Sequence, residues 1–523
     1  MFTQAHALIF AFCVFIVFAT TAAFRWEPFS LSHDEQRSVE LVLIFVIGLV
    51  CLLQMLHNFL RPKFALTSLP VRVLVALSVF FGLGLASASL AALPALAFLE
   101  WGHLFLLVVA CLALSFAIDQ TPQVEDILLS ILVIAVVFYA LQVALQYLVS
   151  VTVLHKLDSN IAVVGISHRR FAAQFHAALI PMLGAAYFRY AFRPGRLAAW
   201  ARPGLVLLAG YAWMLCIVAA SRGAMVALVV SVLVLMAFAG RGNWRPWLKF
   251  YGMSLLVGAI LVGIFFVWMP ELLHAPMTWE NRLADKSITP DANISSGRIY
   301  LWKEALDLIK VSPWLGAGPM HFSYKFHEEG AHPHNLAIQL AAEWGMIAML
   351  CFVGVLVYGY FCFAKFTKSN LGYGNTHATQ TTVQGLLAVL TIIAVYTMID
   401  GLFVMPFSQM WVVFFVAWSM SVMKPGGASN AAVEANADGK SFRGLVAAGL
   451  LFALVSVAMF GFPGIGKTKE RSAVYQSSGA SGLYFPRFWL QGWIGPLPSV
   501  PQGTQNPAGW SVPVLEPGPS RKP

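Results

Sequence analysis

Long apolar runs separated by short polar segments follow one another along almost the whole chain. Most of these runs approach or exceed the roughly 20 residues that a helix needs to cross the hydrocarbon core of a bilayer. Thirteen such runs are found, near residues 7–24, 40–60, 71–92, 94–118, 127–153, 171–188, 203–220, 223–240, 250–270, 334–364, 382–402, 406–423 and 444–462. The pattern predicts an all-α, polytopic helical bundle with about twelve to fourteen spans, thirteen being the best count.

Composition excludes the other broad classes of protein. Of the 523 residues, 59% are hydrophobic and 11% are charged, whereas a soluble domain carries about 25% charged residues. The net charge of +10 does not indicate nucleic-acid binding, because the 33 basic residues are spread among apolar runs instead of forming one basic face. All six cysteines fall within apolar runs, so no disulfide framework is predicted.

The distribution of Lys and Arg predicts how the bundle is oriented, since these residues favour cytoplasmic loops. With the N-terminus inside, fifteen of them lie in cytoplasmic loops and six in short outer loops. The polar segment 271–333 is then on the outer side. This gives N-terminal transmembrane helices over 1–270, a periplasmic loop over 271–333, C-terminal transmembrane helices over 334–462 with a flexible cytoplasmic linker over 425–442, and a Pro-rich periplasmic tail over 463–523.

The pattern within the outer loop predicts folded elements. Arg298 lies in the first turn of a predicted amphipathic helix, where a cation opposes the helix dipole unless an anion is bound nearby. Such a helix suits the membrane surface. The glycine-containing run 313–319 predicts a turn. The apolar face of the helix is predicted from four residues at helical spacing, Ile299, Trp302, Leu306 and Ile309.

Two histidines stand where the chain re-enters the membrane, and both are candidates for chemistry. His332 and His334 flank a proline, and Asn335 follows. A metal pair is one interpretation, but no complete ligand set accompanies them, so no metal site is predicted. A general base is another, because an unperturbed imidazole pKa of about 6.5 suits proton abstraction near neutral pH. A structural histidine at the interface is the third interpretation, and the spacing alone leaves it open.

Several arginines on the predicted outer face are not explained by topology. One of them, Arg222, lies between two apolar runs in either a tight hairpin or a broken helix. Guanidinium groups bind phosphate in bidentate geometry, so arginines that converge predict an anion site, whereas each taken singly is a snorkelling anchor. The arginines are Arg169, Arg170, Arg222 and Arg298, and the candidate carboxylate partners are Glu100, Glu343 and Asp400.

Short motifs within this region point to one family. They are Gly297-Arg298-x3-Trp302, Pro313-Trp314-Leu315-Gly316-x-Gly318, His334-Asn335 followed after nine residues by Gly345, and Ser221-Arg222-Gly223-Ala224. Together they resemble the O-antigen ligase family of bacterial envelope enzymes, over roughly residues 160–420. Ala348 departs from the pattern, because the ligases often carry a threonine at that position.

The resemblance implies a GT-C-like, metal-independent glycosyltransferase of the bacterial inner membrane that needs no cofactor. It implies transfer of O-antigen polysaccharide from undecaprenyl pyrophosphate to the lipid A-core acceptor on the periplasmic side. Attack opposite the leaving group would then invert the anomeric centre. Carried over by position, His334 would be the general base, while Arg222 and Arg298 would hold the pyrophosphate. Substrate-binding roles would fall to Arg169, Arg170, Asn335, His332 and Trp302. The alternatives are a protein O-oligosaccharyltransferase or an O-antigen polymerase with the same donor, and a non-enzymatic transporter.

Overall fold

The computed structural model describes most of the chain. The described residues are 4–21, 32–59, 69–121, 124–155, 157–158, 166, 169–191, 196–240, 244–275, 277–278, 297–325, 327, 330–369, 377–423, 438–467, 470, 487–490 and 492–495. The predicted linker over 425–442 lies mostly outside them, although a helix already begins at Asp438.

Helices account for nearly all of the described chain. In order they are α1 (Gln4–Thr21), α2 (Ser32–Phe59), α3 (Val71–Leu90), α4 (Pro94–Asp119), α5 (Val124–Thr152), α6 (Arg169–Ala191), α7 (Arg196–Val218), α8 (Arg222–Phe238), α9 (Trp244–Val262), α10 (Met269–Leu272), α11 (Arg298–Val311), α12 (Leu336–Trp344), α13 (Met346–Ser369), α14 (His377–Ile399), α15 (Pro406–Val422), α16 (Asp438–Ser456) and α17 (Phe462–Gly466). One π-helical turn joins α9 to α10 and another joins α16 to α17.

The chain is a multi-pass membrane protein. Among the described residues, ten helices are long and apolar enough to cross a membrane, and three shorter apolar helices accompany them. The prediction of an all-α polytopic bundle is confirmed. One short parallel pairing, of Leu157–Asp158 with Met277–Thr278, connects the segment after α5 to the segment after α10.

Two boundaries differ from the predicted runs. Helix α2 begins at Ser32, so the polar stretch His33–Glu40 is helical and buried and does not form an outer loop. The pattern of apolar residues did not reveal this start, because Asp34 and Arg37 form hydrogen bonds with distant parts of the chain. The run 334–364 is divided at Gly345 into α12 and α13.

The short segment between α7 and α8 is a tight hairpin. The Ser221 hydroxyl caps α8 by accepting a hydrogen bond from the Ala224 N–H at 3.3 Å. At the start of α8, Gly223 lies against Tyr396 near the end of α14. At the far end, the Ala239 carbonyl accepts a hydrogen bond from Gln384 near the start of α14. Helix α8 therefore runs antiparallel to α14, and residues 219–221, with Ala220 at φ of +48°, form a turn between α7 and α8.

Helix α11 packs through a different stripe from the predicted one. Leu301 and Ala305 are buried against Phe322 and Ala342, whereas Ile299 and Leu306 are about half exposed. The inner stripe uses the smaller Ala305 because α11 packs closely against α12. The outer apolar residues remain available to a bilayer surface.

Candidate functional site

Five helix ends meet at one end of the bundle. The Cys216 thiol, near the end of α7, donates to the Ala173 carbonyl in the first turns of α6, at 3.6 Å. The α7–α8 hairpin lies beside the end of α14 through Gly223. The start of α12 is tied to the same place, because the Asn335 side-chain amide donates to the Met398 carbonyl at 3.0 Å. Residues distant in sequence are thereby brought together.

His334 and Asp400 form the centre of this region. His334 Nδ1 lies 3.4 Å from Asp400 Oδ1, and the two side chains are 18% and 5% exposed. The contact is longer than the roughly 2.8 Å of a strong charge-assisted hydrogen bond, and the imidazole is not aligned for one. Asp400 also accepts the Gly401 N–H at 2.8 Å. The two side chains are therefore in contact without a short hydrogen bond between them.

Asp400 remains ionised in this setting. Burial alone would raise the pKa of its carboxyl group. The hydrogen-bonding capacity and charge of His334, together with the charge of Arg298, instead hold that pKa well below its usual range. A charged carboxylate in this position can stabilise an imidazolium that forms during proton transfer.

The backbone of His334 is held in an unusual conformation. Its φ of +53° is in the left-handed region, which an L-residue adopts at a cost of roughly 1–3 kcal/mol when surrounding bonds fix it. Trp302 Nε1 donates to the Pro333 carbonyl at 2.8 Å on one side. Asn335 caps α12 on the other, its side-chain oxygen accepting the Ile338 N–H at 3.0 Å. Trp302 and Asn335, which we predicted to bind substrate, here hold the segment that carries His334.

His332 lies behind His334. The two ring centroids are 4.1 Å apart, and His332 is buried. Gly401 makes this arrangement possible, since a Cβ at that position would collide with His332 Nε2. On the other side, a Cβ at Gly330 would lie 3.7 Å from His334 Nε2, which is an ordinary van der Waals contact.

The predicted arginines share this end of the bundle. Arg298 opens α11, is half-buried, and acts on the charge of Asp400. Arg222 opens α8, is exposed, and is flanked by Ser221 and by Gly223, which rests on Tyr396 and Ile399. Arg169 and Arg170 form the first turn of α6, the former buried and the latter half-buried. Helix N-termini add partial positive charge beside these arginines.

The glycine-containing turn closes the far end of α12. Ala317 and Gly318 donate backbone N–H groups to the carbonyls of Ala342 and Glu343, both at 2.9 Å. These bonds satisfy carbonyls that the helix end would leave unpaired. The close approach depends on Gly316, with φ of +72°, because a Cβ there would overlap the backbone of Glu343. The predicted turn is therefore present and supports α12.

The remaining histidines of the region lie apart from the pair. His321 Nδ1 contacts the Pro319 carbonyl at 2.8 Å and its Nε2 accepts the Leu93 N–H at 2.9 Å. His327 Nε2 contacts the Phe322 carbonyl at 3.2 Å. Burial lowers the pKa of both rings. Within the described part of the chain, no group of three His, Cys, Asp or Glu side chains is placed to hold a metal ion.

Sequence reasoning did not identify Asp400 as the partner of His334. It placed Asp400 with Glu100 and Glu343 among possible arginine partners, and the two glutamates do contact an arginine, Arg487. The available signal was an acidic residue near the end of the predicted apolar run 382–402, at the level where His334 re-enters the membrane.

Comparison with known families gives one match. Residues 205–353 match the family model described as O-antigen ligase. The matched segment begins in α7, contains Arg222, Arg298 and His334, and ends in α13, so it leaves out Arg169 and Asp400. No curated protein matches the chain.

Proposed function

Residues 205–353 match the O-antigen ligase family model, and from this premise we propose that the chain is a member that transfers O-antigen polysaccharide from undecaprenyl pyrophosphate to lipid A-core on the periplasmic side of the inner membrane. The observation that carries the proposal is the His334–Asp400 pair, 3.4 Å apart, placed beside Arg298 at one end of a membrane bundle. A base next to cationic groups at the bilayer boundary suits an acceptor hydroxyl and an anionic lipid-linked donor.

His334 acts as the general base. Its Nε2 takes the proton of the acceptor hydroxyl as that oxygen forms a bond to the anomeric carbon of the donor sugar. The bond from that carbon to the pyrophosphate oxygen breaks, and undecaprenyl pyrophosphate leaves. Asp400 stabilises the imidazolium that results, since its carboxylate is charged and adjacent. Displacement from the face opposite the leaving group inverts the anomeric configuration.

The arginines stabilise the negative charge of the leaving group. Negative charge grows on the pyrophosphate as the sugar departs, and preorganised cations at that position lower the barrier. Arg222 and Arg298 hold the pyrophosphate, and Arg169 or Arg170 supports it from the start of α6. The helical bundle takes the undecaprenyl chain, which explains why such a site belongs at the membrane boundary.

Reconstitution of the full chain tests this function. Proteoliposomes would receive undecaprenyl-pyrophosphate-linked O-antigen and a lipid A-core acceptor, and ligated lipopolysaccharide would be measured. We expect His334→Ala to lower the turnover number by about 10²- to 10⁴-fold, the usual contribution of a general base. His57→Ala, at an exposed position in the last turn of α2, is the matched control and should keep the wild-type rate.

Three other outcomes of this experiment would change the proposal. A His334→Ala enzyme with undiminished turnover removes the base from the mechanism. Product formed only on a protein acceptor, or only by joining donor glycans to each other, assigns the chain to a sister activity with the same donor. A product linkage that retains the anomeric configuration contradicts the direct displacement.

A further inference from the structure

The C-terminal part of the chain returns into the bundle. Residues 487–490 and 492–495, here called the C-terminal strap, follow α17 by some twenty positions. Arg487, Phe488 and Leu490 are buried. The Leu490 N–H donates to Asp34 Oδ1 at 2.8 Å, and the Ile494 N–H donates to the Ser323 carbonyl at 3.2 Å. The strap thus contacts both the start of α2 and the segment before α12.

Arg487 joins two helices through a buried charge triad. Its Nη1 donates to Glu100 Oε1 of α4 at 2.8 Å, and its Nη2 donates to Glu343 Oε2 of α12 at 2.6 Å. The side chains of Arg487 and Glu343 are 2% and 0% exposed. A fork of two charge-assisted hydrogen bonds fixes both position and orientation, which a single apolar contact does not.

Glu343 lies at the opposite end of α12 from His334. Helix α12 spans Leu336–Trp344, with its cap at Asn335 and His334 directly before the cap. Glu343 also accepts the Phe322 N–H at 3.2 Å. A helix this short moves as one body, so a displacement at Glu343 is carried to the residues before its first turn.

The strap reaches Asp400 by a second route. The Phe488 carbonyl accepts a hydrogen bond from Arg37 Nε at 2.8 Å, and the Arg37 guanidinium lies 4.8 Å from the centroid of the Phe488 ring. Arg37 Nη2 donates to the Val404 carbonyl at 2.7 Å. Val404 belongs to the turn that directly follows Asp400, and its N–H bonds to the Gly401 carbonyl at 3.1 Å. One arginine therefore connects the strap to the backbone after Asp400.

We infer that the C-terminal strap is a positioning element for the transfer reaction, in which Arg487 acts on His334 through Glu343 and α12, and Phe488 acts on Asp400 through Arg37. The inference rests on the proposed function of the His334–Asp400 pair. At 3.4 Å this pair is at the limit of a productive contact, so a small shift of either partner decides whether the imidazolium is stabilised. Arg487 is thus a positioning residue.

Two isosteric substitutions distinguish a positioning role of Arg487 from a general effect of the triad on protein stability. Glu343→Gln and Glu100→Gln each remove one carboxylate charge from Arg487, keep the side-chain shape, and differ in the helix they loosen. We expect Glu343→Gln to lower kcat about tenfold or more, with the donor KM within about twofold of wild type. Glu100→Gln should keep kcat within about threefold of wild type, because α4 carries no residue of the pair. Thermal unfolding of each purified variant in detergent accompanies the kinetics.

The kinetic results for these variants distinguish the inference from its alternatives. Equal losses of kcat in the two variants, or a wild-type kcat in folded Glu343→Gln, overturn the inference. Arg487→Lys, which retains the charge but not the fork, should fall between Glu343→Gln and wild type, and full activity in that variant also counts against it. If His334→Ala is active, the proposed function itself is contradicted. If His334→Ala is inactive and Glu343→Gln behaves like Glu100→Gln, only the inference about the strap is contradicted.

Discussion

At the scale of single residues, the backbone conformation of His334 and the contacts of its ring are set by neighbouring residues. A left-handed backbone persists at φ of +53° because bonds on both sides fix it, from Trp302 to Pro333 and from Asn335 to Met398. The ring then meets a carboxylate from the end of α14. Backbone strain held in this way is typical of residues whose orientation matters for chemistry.

Asp400→Asn should impair the chemical step. The substitution keeps the size of the side chain and removes the charge that stabilises an imidazolium at His334. We expect kcat to fall about 10²-fold in the reconstituted assay, with little change in the donor KM. Asp119→Asn, at an exposed position ending α4, is the matched control. An Asp400→Asn enzyme within about twofold of the wild-type kcat would show that the carboxylate has no part in proton transfer.

The types of residue at the candidate site could be predicted from the sequence, but which of these residues contact one another could not. A histidine at the re-entry point and arginines at helix starts are visible in the sequence. The sequence offers three acidic residues, Glu100, Glu343 and Asp400, as possible partners of the arginines, and does not pair any of them with His334. Which one meets His334 depends on the depth at which each helix ends, a tertiary property that apolar runs do not encode.

At the scale of elements, α12 explains the most specific motif of the chain. Asn335 is its N-cap and Gly345 directly follows its last residue, so the nine-residue spacing is the length of the helix. Gly345 has φ of +89°, and a Cβ there would overlap the Trp314 carbonyl. The motif therefore preserves a rigid link between His334 and the turn over 313–318.

Gly345→Ala should destabilise this link. A methyl group would meet the Trp314 backbone and would also strain a left-handed residue, so we expect a fall in the thermal unfolding midpoint and in kcat. Gly359→Ala, in the middle of α13 with no atom within 4 Å of the added Cβ, is the matched control. It should leave both quantities at or above the wild-type values, since Ala is favoured over Gly in helices by about 1 kcal/mol. Equal behaviour of the two variants would contradict the packing argument.

The presence of the membrane helices could be predicted from the sequence, but the position at which α2 begins could not. Each predicted apolar run falls on a described helix, because a bilayer demands about 20 apolar residues whatever the tertiary contacts are. The start of α2 at His33–Glu40 was missed because its polar side chains are buried against the strap and α15, as Arg37 shows by bonding to Phe488 and Gln409. Such long-range compensation leaves no local pattern.

At the scale of the whole molecule, the excess of positive charge divides into two groups. Topology accounts for the fifteen basic residues of the predicted cytoplasmic loops. Of those assigned to the outer side, Arg37 lies in the bundle with Glu40, at a buried ion-pair distance of 2.5 Å. The arginines at the starts of α6, α8 and α11 remain at the end of the bundle that carries His334. The distribution of charge thus places these arginines at the same end of the bundle as the proposed site.

The orientation of the bundle is the last prediction, and it follows from the same charge distribution. The site is on the periplasmic side only if the N-terminus is inside. Single cysteines replacing Lys310 and Lys325, whose side chains are 76% and 71% exposed, should react with a membrane-impermeant maleimide added to the periplasmic side of intact cells. A cysteine at Lys368, exposed in the last turn of α13, should react only after the inner membrane is permeabilised. Unsubstituted protein gives the background from the native cysteines, and the reverse labelling pattern would place the site in the cytoplasm, away from any periplasmic acceptor.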